Sequence, residues 1–416
     1  MTRSVRTPSE AALARAVKRR VWPERWPLRL RCAPGLEAVV ADEVRAATAR
    51  ADDLDVGDVS APDALRVTPG TVALEAPFDL MHALLAEVRV ADVLSVRIAE
   101  HAAATTAMAF DHLARLPWAW WLPARGPVRI AVRSRRSRLR DAGDLERTVR
   151  RAVRAAGVAA EAPRDDRGAG GAGDVPVVRL ELERDRASVW VDVAHAMHRR
   201  GTGKRSTATT LRETTAAALA HLGGAADADL IIDPFCGSGT LLQEARDLAA
   251  GRPVGAARPV AMRGAPVWNE GRLRHALRRF DAPRDAPSLV GRDADPATAA
   301  VAAEALGAGA DVRAGDARTL DVAALAEAHG ARRPLLLTNP PYGRRSAASG
   351  DDPDALLRRV LAAVAAAGAA GPTWRWAVVY PRPAAWAEAP GLEVASVRRV
   401  RIRGLSVAFA TGRTSG

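Results

Sequence analysis

Cysteine is nearly absent from this chain of 416 residues, which contains only Cys32 and Cys236. The two form no CxxC pair, and neither belongs to a set of residues at metal-ligand spacing. A disulfide scaffold is therefore excluded, and a reducing compartment fits the sequence. His195 and His198 also share no cysteine or acidic ligand set, so we expect no metal site.

Long apolar segments are missing as well. The closest candidate, Val360–Gly371, is alanine-rich and too short to span a bilayer, and it predicts part of a buried helix. The first twenty residues are charged and have no apolar centre, so they do not resemble a secretory signal. We expect a soluble, cytoplasmic protein with no membrane partner.

Acidic residues are outnumbered by basic ones. The chain has 48 Asp and Glu against 61 Lys and Arg, a net charge of +13. Such an excess favours a polyanionic partner, although an arginine-rich surface that is merely solvated is the alternative. The length predicts two or three domains, and the 48% hydrophobic content is enough for packed cores.

The N-terminal half opens with a basic, Pro- and Trp-containing segment, residues 1–27, which we interpret as a flexible arm. Strands and helices then alternate through residues 28–195. The predicted helix Asp144–Gly157 has an apolar stripe on one side. Its other side has four arginines, namely Arg147, Arg150, Arg151 and Arg154. This basic side either contacts RNA phosphates or is a solvated surface.

The C-terminal half, beyond a linker at residues 196–214, predicts an α/β domain. Strands and helices alternate there, which indicates a parallel sheet with helices on both faces. The predicted strands are Ala228–Asp233, Ser288–Asp293, Asp311–Asp316, Leu335–Pro340 and Trp374–Tyr380. A final β-hairpin, Val394–Gly412, turns at Gly404. An antiparallel pair that closes a parallel sheet is typical of class I methyltransferases, which have a Rossmann-like fold.

The segment Asp233–Thr240, DPFCGSGT, is a glycine turn between a strand and a helix. Gly237 and Gly239 let the main chain approach a ligand at the carboxyl edge of the sheet. Leu242 stands where a dinucleotide-binding loop needs a third glycine, so a smaller nucleoside cofactor is favoured. Asp233 is expected either to order the loop or to meet an ammonium group of the cofactor. A strand–helix corner without a ligand is the alternative.

Two further carboxylates end neighbouring predicted strands. Asp293 is placed to accept hydrogen bonds from both ribose hydroxyls of a nucleoside, and Asp316 to accept one from the adenine amino group. Asp295 is instead expected to cap the helix that begins at Pro296. Each carboxylate could also be a simple turn residue, but their recurrence at successive strand ends favours a nucleoside site.

The segment NPPY ends the fourth predicted strand of the C-terminal domain and consists of Asn339, Pro340, Pro341 and Tyr342. The Asn339 side-chain oxygen and the Pro340 carbonyl can accept both N–H bonds of an exocyclic amine, which directs its lone pair toward a methyl donor. Tyr342 offers a ring face to a base that has left its stack. With the glycine turn, this motif predicts methyl transfer from S-adenosylmethionine to an amino nitrogen of a base. A proline-rich turn is the alternative.

Several segments resemble the THUMP-containing class I RNA methyltransferases, especially the guanine-N2 group that modifies large-subunit rRNA or tRNA. They are Cys32–Val44, Ser134–Val149, Met197–Gly201, Thr210–Leu219 and Val267–Leu277. The resemblance implies a ferredoxin-like plus THUMP RNA-binding module over residues 28–195 and a methyltransferase domain over 215–416. It implies structured RNA as the partner and a monomer or weak dimer.

The function that we expect is methylation of the N2 amine of a guanosine, with 23S rRNA favoured over tRNA as the substrate. Adenine-N6 methylation stays open because NPPY also occurs in those enzymes, and a non-catalytic RNA-binding assembly factor is the other alternative. The expected catalytic residues are the four of NPPY. The expected cofactor-binding residues are Asp233, Pro234, Cys236, Gly237, Gly239, Thr240, Asp293 and Asp316.

Overall fold

The computed structural model describes residues 9–59, 61, 63–161, 174–200, 211–255, 258–280, 284–342, 352–382, 386, 389–402 and 404–415. Its helices are α1 (Glu10–Arg20), α2 (Glu37–Arg50), α3 (Leu80–Glu87), α4 (Thr106–Ala114), α5 (Trp118–Trp121), α6 (Ala142–Ala155), α7 (Glu213–Leu222), α8 (Thr240–Ala249), α9 (Glu270–Arg278), α10 (Pro296–Leu306), α11 (Val322–Ala328) and α12 (Pro353–Ala370).

The strands of the N-terminal half are β1 (Arg25–Arg31), β2 (Arg66–Thr68), β3 (Thr71–Pro77), β4 (Val93–Ala102), β5 (Arg125–Pro127), β6 (Arg129–Arg135), β7 (Ala159–Glu161), β8 (Val177–Glu183) and β9 (Arg186–His195). Those of the C-terminal half are β10 (Leu230–Asp233), β11 (Ser288–Asp293), β12 (Ala310–Ala314), β13 (Pro334–Thr338), β14 (Arg375–Tyr380), β15 (Leu392–Ile402) and β16 (Leu405–Thr414).

These elements form two compact units. The first comprises Met1–Cys32, Ala41–Arg199 and Val254–Arg279. The second comprises Ala33–Val40, Arg200–Pro253 and Phe280–Gly416.

The first unit is built on a seven-stranded sheet of order β2-β3-β1-β4-β9-β8-β6. Its first four strands, with α2 and α3 between them, follow the βαββαβ order of a ferredoxin-like fold, and β1 pairs antiparallel with both β3 and β4. In β1, Leu28 and Leu30 are fully buried and alternate with Arg29 and Arg31, as the period of two of a strand requires. The predicted α+β ferredoxin-like unit is confirmed.

The predicted flexible arm does not describe residues 9–27. Ser9 caps α1 by accepting a hydrogen bond from the backbone of Ala12, and Val17 and Val21 are buried. The Trp26 indole donates to the Val21 carbonyl at 2.9 Å. The basic composition of this segment concealed a few apolar residues that are sufficient to pack the helix.

One segment of the C-terminal half, Val254–Arg279, packs within the first unit. The backbone N–H of Val254 donates to the Ala86 carbonyl (2.9 Å), and that of Met262 donates to the Val193 carbonyl (3.2 Å). Helix α9, within this segment, packs against α3. The predicted boundaries assume one continuous range for each domain, so they differ from this division of the chain.

The second unit contains a seven-stranded sheet of order β12-β11-β10-β13-β14-β16-β15. Strands β10 to β14 are parallel, while β16 lies antiparallel between β14 and β15. Gly404, at a φ of 85°, lies in the turn between β15 and β16. This is the predicted Rossmann-like sheet with its antiparallel hairpin, and the prediction of the fold class is confirmed.

The core of the second unit explains why its parallel strands read as unbroken apolar runs. Leu230 and Ile232 of β10, Leu336 of β13 and Trp376 of β14 are fully buried in one cluster. The apolar stripe of α12 packs on them. Because parallel strands are covered on both faces, their sequences show little polar alternation.

None of the helices that the structure describes is both long enough and apolar enough to cross a membrane.

The central position of β13 predicts a large stability difference between two chemically identical changes. Leu336→Ala removes a fully buried side chain, so we expect the free energy of unfolding to fall by about 2–5 kcal/mol. Leu405→Ala removes a side chain that is 49% exposed and is expected to cost no more than about 0.5 kcal/mol. Chemical denaturation of both variants checks this, and equal losses would contradict the assigned core.

Candidate methyl-transfer site

The turn after β10 presents its main chain at the carboxyl edge of the sheet. Gly237 and Gly239 have φ values of 53° and 78°, a region that glycine adopts without strain. A Cβ on Gly239 would lie 3.2 Å from the Leu306 side chain, so this glycine permits close packing. A Cβ on Gly237 would meet no heavy atom within 4 Å, so this part of the turn faces open space. The turn therefore offers room for a ligand at Gly237.

Asp233, the last residue of β10, connects this turn to the neighbouring strand. Its Oδ1 accepts a hydrogen bond from the Thr338 hydroxyl at 2.6 Å and another from the Phe235 backbone N–H at 3.0 Å. Burial raises the pKa of the Asp233 carboxyl to about 7, against the hydrogen bonds, which lower it. Of the two predicted roles, the geometry supports ordering of the loop.

Asp293 is the second link between strand ends. Its Oδ2 accepts from the Gly237 backbone N–H at 3.0 Å, and its Oδ1 accepts from the Asp295 backbone N–H at 3.0 Å. Each carboxylate oxygen has a further lone pair, so the group retains acceptor capacity for a diol. Asp295 caps α10 through the backbone of Ala297 and Thr298, as expected.

Three of the predicted cofactor-binding residues face the protein interior. Cys236 is 5% exposed, and its sulfur lies against the strand residue Gly291. Burial raises the pKa of the Cys236 thiol, which makes it an inert packing group. Pro234 and Thr240 are also buried. These residues shape the turn, and a ligand contact from them would come through the backbone.

Asp316 follows β12, and its side chain forms hydrogen bonds with residues close to it in the chain. It caps a short 3-10 helix, and its carboxylate accepts hydrogen bonds from the Arg318 guanidinium at 2.5–2.9 Å. The Arg318 contact lowers the pKa of the Asp316 carboxyl. Asp316 also lines a pocket of about 430 Å³ together with Leu320 and Leu325. Its role with an adenine amino group stays a prediction, since Arg318 would share the carboxylate.

The NPPY segment begins directly after β13, which pairs in parallel with β10. Asn339 follows Thr338, the residue that Asp233 holds. The Asn339 Oδ1 is buried and accepts no hydrogen bond from any residue that the structure describes. A buried acceptor without a donor is costly unless a ligand supplies one. Asn339 therefore has the capacity that an exocyclic amine requires.

Aromatic residues pack near the Tyr342 ring. Its ring meets that of Tyr380 edge-on, with the centroids 6.1 Å apart, and Tyr380 meets Trp386 at 6.2 Å. The Tyr380 hydroxyl donates to Asp354, and Arg382 donates to Asp354 at 2.9 Å. Burial, aided by Asp354, raises the pKa of Tyr380 to about 12.

Sequence reasoning did not identify Tyr380, Asp354 and Arg382 as a supporting group. Tyr380 ends the predicted strand next to NPPY, which was the one available signal. The register of β13 and β14 places it in the same row as the NPPY segment, since Thr338 pairs with Val378. Asp354 lies in the first turn of α12, distant in sequence, and only the folded sheet brings it to Tyr380.

The four arginines of α6 do not share one free basic face. Arg150 donates to the carbonyls of Val128 (3.4 Å) and Glu161 (3.0 Å), and Arg154 donates to that of Ala160 (3.3 Å). The other two make local contacts: Arg151 lies over the Phe110 ring, and Arg147 pairs with Asp144. Their predicted role in RNA binding remains untested, but much of their hydrogen-bonding capacity is used within the first unit.

The donor and acceptor set of the second unit fits a nucleoside cofactor. It combines an open glycine turn at Gly237 with a carboxylate that has spare lone pairs at Asp293. The buried acceptor at Asn339, on the neighbouring strand, suits an amine instead. No group of three or more His, Cys, Asp or Glu side chains placed to hold a metal ion occurs within the described part of the chain.

Comparison with known proteins assigns a class to this unit. Residues 200–405 match the family described as RMKL-like, methyltransferase domain. The second unit thus has the class I methyltransferase fold, and the prediction of S-adenosylmethionine as its cofactor is confirmed.

Two relatives and one solved structure illustrate the similarity. The chain is 28% identical over 328 residues to the ribosomal RNA large subunit methyltransferase K/L of Syntrophotalea carbinolica, an alignment that covers 75% of this chain and 43% of that protein. It is 26% identical to YpsC of Bacillus subtilis, which is named as a candidate RNA methyltransferase, over 75% of this chain and 77% of that protein. The crystal structure of SMU.472, named as a candidate methyltransferase complexed with SAH, has a TM-score of 0.71 at 21% identity and covers 94% of this chain and 98% of its own.

The chain thus spans less than half the length of the K/L relative. The similarity to SMU.472 supports the fold.

The buried carboxyl of Asp233 predicts a pH dependence of stability. Its pKa is raised from 3.8 to about 7, so the folded state retains a proton that the unfolded state has already lost. This stabilisation is complete below pH 3.8 and disappears as the pH rises through about 7. Asp233→Asn remains neutral, so we expect its free energy of unfolding to change less between pH 5 and pH 8 than that of the unsubstituted protein.

Asp285→Asn, a change of the same type at an exposed position, is the matched control and is expected to keep the original pH dependence. Denaturant titrations at several pH values provide the comparison. Parallel curves for all three proteins would show that Asp233 is ionised like an ordinary surface carboxyl.

Proposed function

We propose that the chain is an S-adenosylmethionine-dependent RNA methyltransferase that modifies the N2 amine of a guanosine, with 23S rRNA as the preferred substrate. The names of the relatives support the RNA substrate, and the K/L name supports the large-subunit RNA. The choice of guanine N2 rests on the resemblance described from the sequence.

The observation that carries this proposal is the Asn339 Oδ1 beside the glycine turn, which has no hydrogen-bond partner among the described residues. Strands β10 and β13 are immediate neighbours, so the loops that follow them open at one edge of the sheet. Ligands of open α/β sheets bind at this edge where the strand order reverses, and the order β11-β10-β13-β14 reverses between these two strands. The glycine turn after β10 thus holds the methyl donor, and the NPPY segment after β13 receives the amine.

The proposed chemistry needs orientation more than proton transfer. S-adenosylmethionine, when bound, supplies an electrophilic methyl group with a thioether leaving group. Asn339 Oδ1 and the Pro340 carbonyl accept the two amine hydrogens, so the nitrogen lone pair is turned toward that methyl group. As the C–N bond forms and the C–S bond breaks, the nitrogen becomes acidic and releases one proton to solvent. No side-chain base is required before attack.

Tyr342 supplies the face against which the target base rests. The base must leave its stack to reach the site, and an aromatic ring recovers part of the stacking energy. Tyr380, held by Asp354 and Arg382, fixes the orientation of Tyr342 from the other side.

Substitution of Asn339 tests the proposed acceptor. Asn339→Ala removes the amine acceptor, and we expect methyl transfer to an unmodified 23S rRNA transcript to fall by about 10²–10³-fold or more. Affinity for S-adenosylmethionine, measured by calorimetry, is expected to stay within a few fold, because Asn339 is assigned to the acceptor. Near-normal turnover of the variant would refute the assigned role.

Asp293→Ala is the complementary variant, since Asp293 is assigned to the cofactor ribose. It is expected to weaken S-adenosylmethionine binding by about tenfold or more, through loss of charge-assisted hydrogen bonds. Mass spectrometry of nucleosides from the methylated transcript distinguishes N2-methylguanosine from N6-methyladenosine. Absence of cofactor binding in the unsubstituted chain would favour a non-catalytic assembly factor.

A further inference from the structure

The sheet of the first unit has a polar face, which is formed by strand residues and not by the arginines of α6. In β1, Arg29 and Arg31 project from the side opposite to the buried Leu28 and Leu30. Arg29 pairs in register with Ser95 of β4. Polar and charged side chains therefore continue across neighbouring strands on this side.

A pocket of about 630 Å³ opens on this polar face. Its lining includes strand residues from β1 to β4 and β9, together with part of the loop that precedes β2. A volume of this size lies within the range of ligand-binding pockets. We call it the sheet-face pocket, and its lining includes Arg29, Arg66, Arg97 and Trp190.

Arg29 and Trp190 form one wall of the sheet-face pocket. The Arg29 guanidinium carbon lies 3.8 Å from the Trp190 ring centroid, and two hydrogen bonds to Glu181, of 2.7 and 3.0 Å, hold it there. Arg29 is 8% exposed and Trp190 is 7% exposed. Trp190 Nε1 and Arg29 Nε have no hydrogen-bond partner among the residues that the structure describes. Both N–H groups are buried within the wall, and what the wall presents to the pocket is a rigid planar pair, which suits a planar heterocycle.

The margin of the pocket has cations with capacity for a phosphate. The Arg66 side chain is exposed and makes no ion pair or hydrogen bond within the described chain. Arg97 is paired with Glu100 at 2.6 Å and lies 5.7 Å from the Trp190 ring centroid.

The loop that closes one side of the pocket is fixed by Arg25. Its guanidinium donates to the carbonyls of Asp55 (3.1 Å), Val56 (2.9 Å) and Glu75 (2.7 Å). Asp63 and Glu75 place carboxylate acceptors in the lining. Acceptors of this kind match the amino and imino groups on the edge of a base.

We propose that the sheet-face pocket binds one unpaired nucleotide of the RNA, with its base against Arg29 and Trp190 and its phosphate at Arg66 and Arg97. This rests on the proposed function, which supplies the RNA. Unpaired bases that stack on aromatic rings and guanidinium planes are the usual targets of sheet faces in RNA recognition.

The test uses the full chain and two arginines of the pocket margin, the exposed Arg66 and the half-buried Arg97. The double variant Arg66→Ala/Arg97→Ala is compared with Arg19→Ala, an exposed arginine of α1 outside the pocket. The probe is a fluorescein-labelled, twelve-nucleotide single-stranded RNA of mixed sequence, and its duplex is measured in parallel. We expect the double variant to bind the single strand about tenfold more weakly, and the dependence of log affinity on log salt to fall by about 1.4, or 0.7 for each phosphate contact. Arg19→Ala is expected to stay within about twofold.

A second readout follows the base itself. Ultraviolet cross-linking of the same single strand, followed by peptide mass spectrometry, is expected to label the peptide that contains Trp190. The cross-link should disappear in the double variant.

Unchanged single-strand affinity and salt dependence in the double variant would overturn the proposal. An equal loss for the duplex would do the same, because it would indicate a contact with any RNA backbone. S-adenosylmethionine affinity, measured on every variant, separates this outcome from failure of the methyltransferase assignment. If the chain binds the cofactor and methylates RNA, but the double variant keeps its affinity for RNA, only the proposal for the sheet-face pocket fails.

Discussion

The parallel pairing of β10 with β13 is the constraint on which the site depends. It places the glycine turn and the NPPY segment side by side, although about a hundred residues separate them in the chain. The hydrogen bond from the Thr338 hydroxyl to Asp233 then joins the two strand ends directly. Because this carboxyl is buried, the bond lies in a low-dielectric environment, where it is stronger than at a surface. The glycine turn and the NPPY segment are therefore held together at one rigid edge.

Much of the fold was predictable because hydrophobic period and chain order decide it. Apolar runs such as Leu335–Thr338 are buried on both faces, and their alternation with helices predicts a parallel sheet. Two features were not predictable. The packing of α1 depends on a few apolar residues, Val17 and Val21, within a basic segment. The association of Val254–Arg279 with the first unit combines backbone hydrogen bonds with packing of α9 on α3, and contacts between segments so distant in the chain leave no local sequence pattern.

The candidate site divides in the same way. Asp233, Asp293 and Asn339 were visible in the sequence because each ends a predicted strand at the ligand-binding edge. The separate roles of the site residues were not visible, because burial and hydrogen bonds determine them. Asp233 orders the turn, and the nearby Cys236 packs into the interior. For the α6 arginines, the charged stripe did not reveal that Arg150 and Arg154 donate hydrogen bonds to backbone carbonyls.

A crystal structure of the chain with S-adenosylhomocysteine tests the central claim most directly. The account predicts the nucleoside against the Gly237 main chain and the Asp293 carboxylate, with the sulfur facing the opening beside the Asn339 side-chain oxygen. A ligand bound at another edge of the sheet, or with its sulfur turned away from Asn339, would contradict the arrangement of donor and acceptor on these two strand ends.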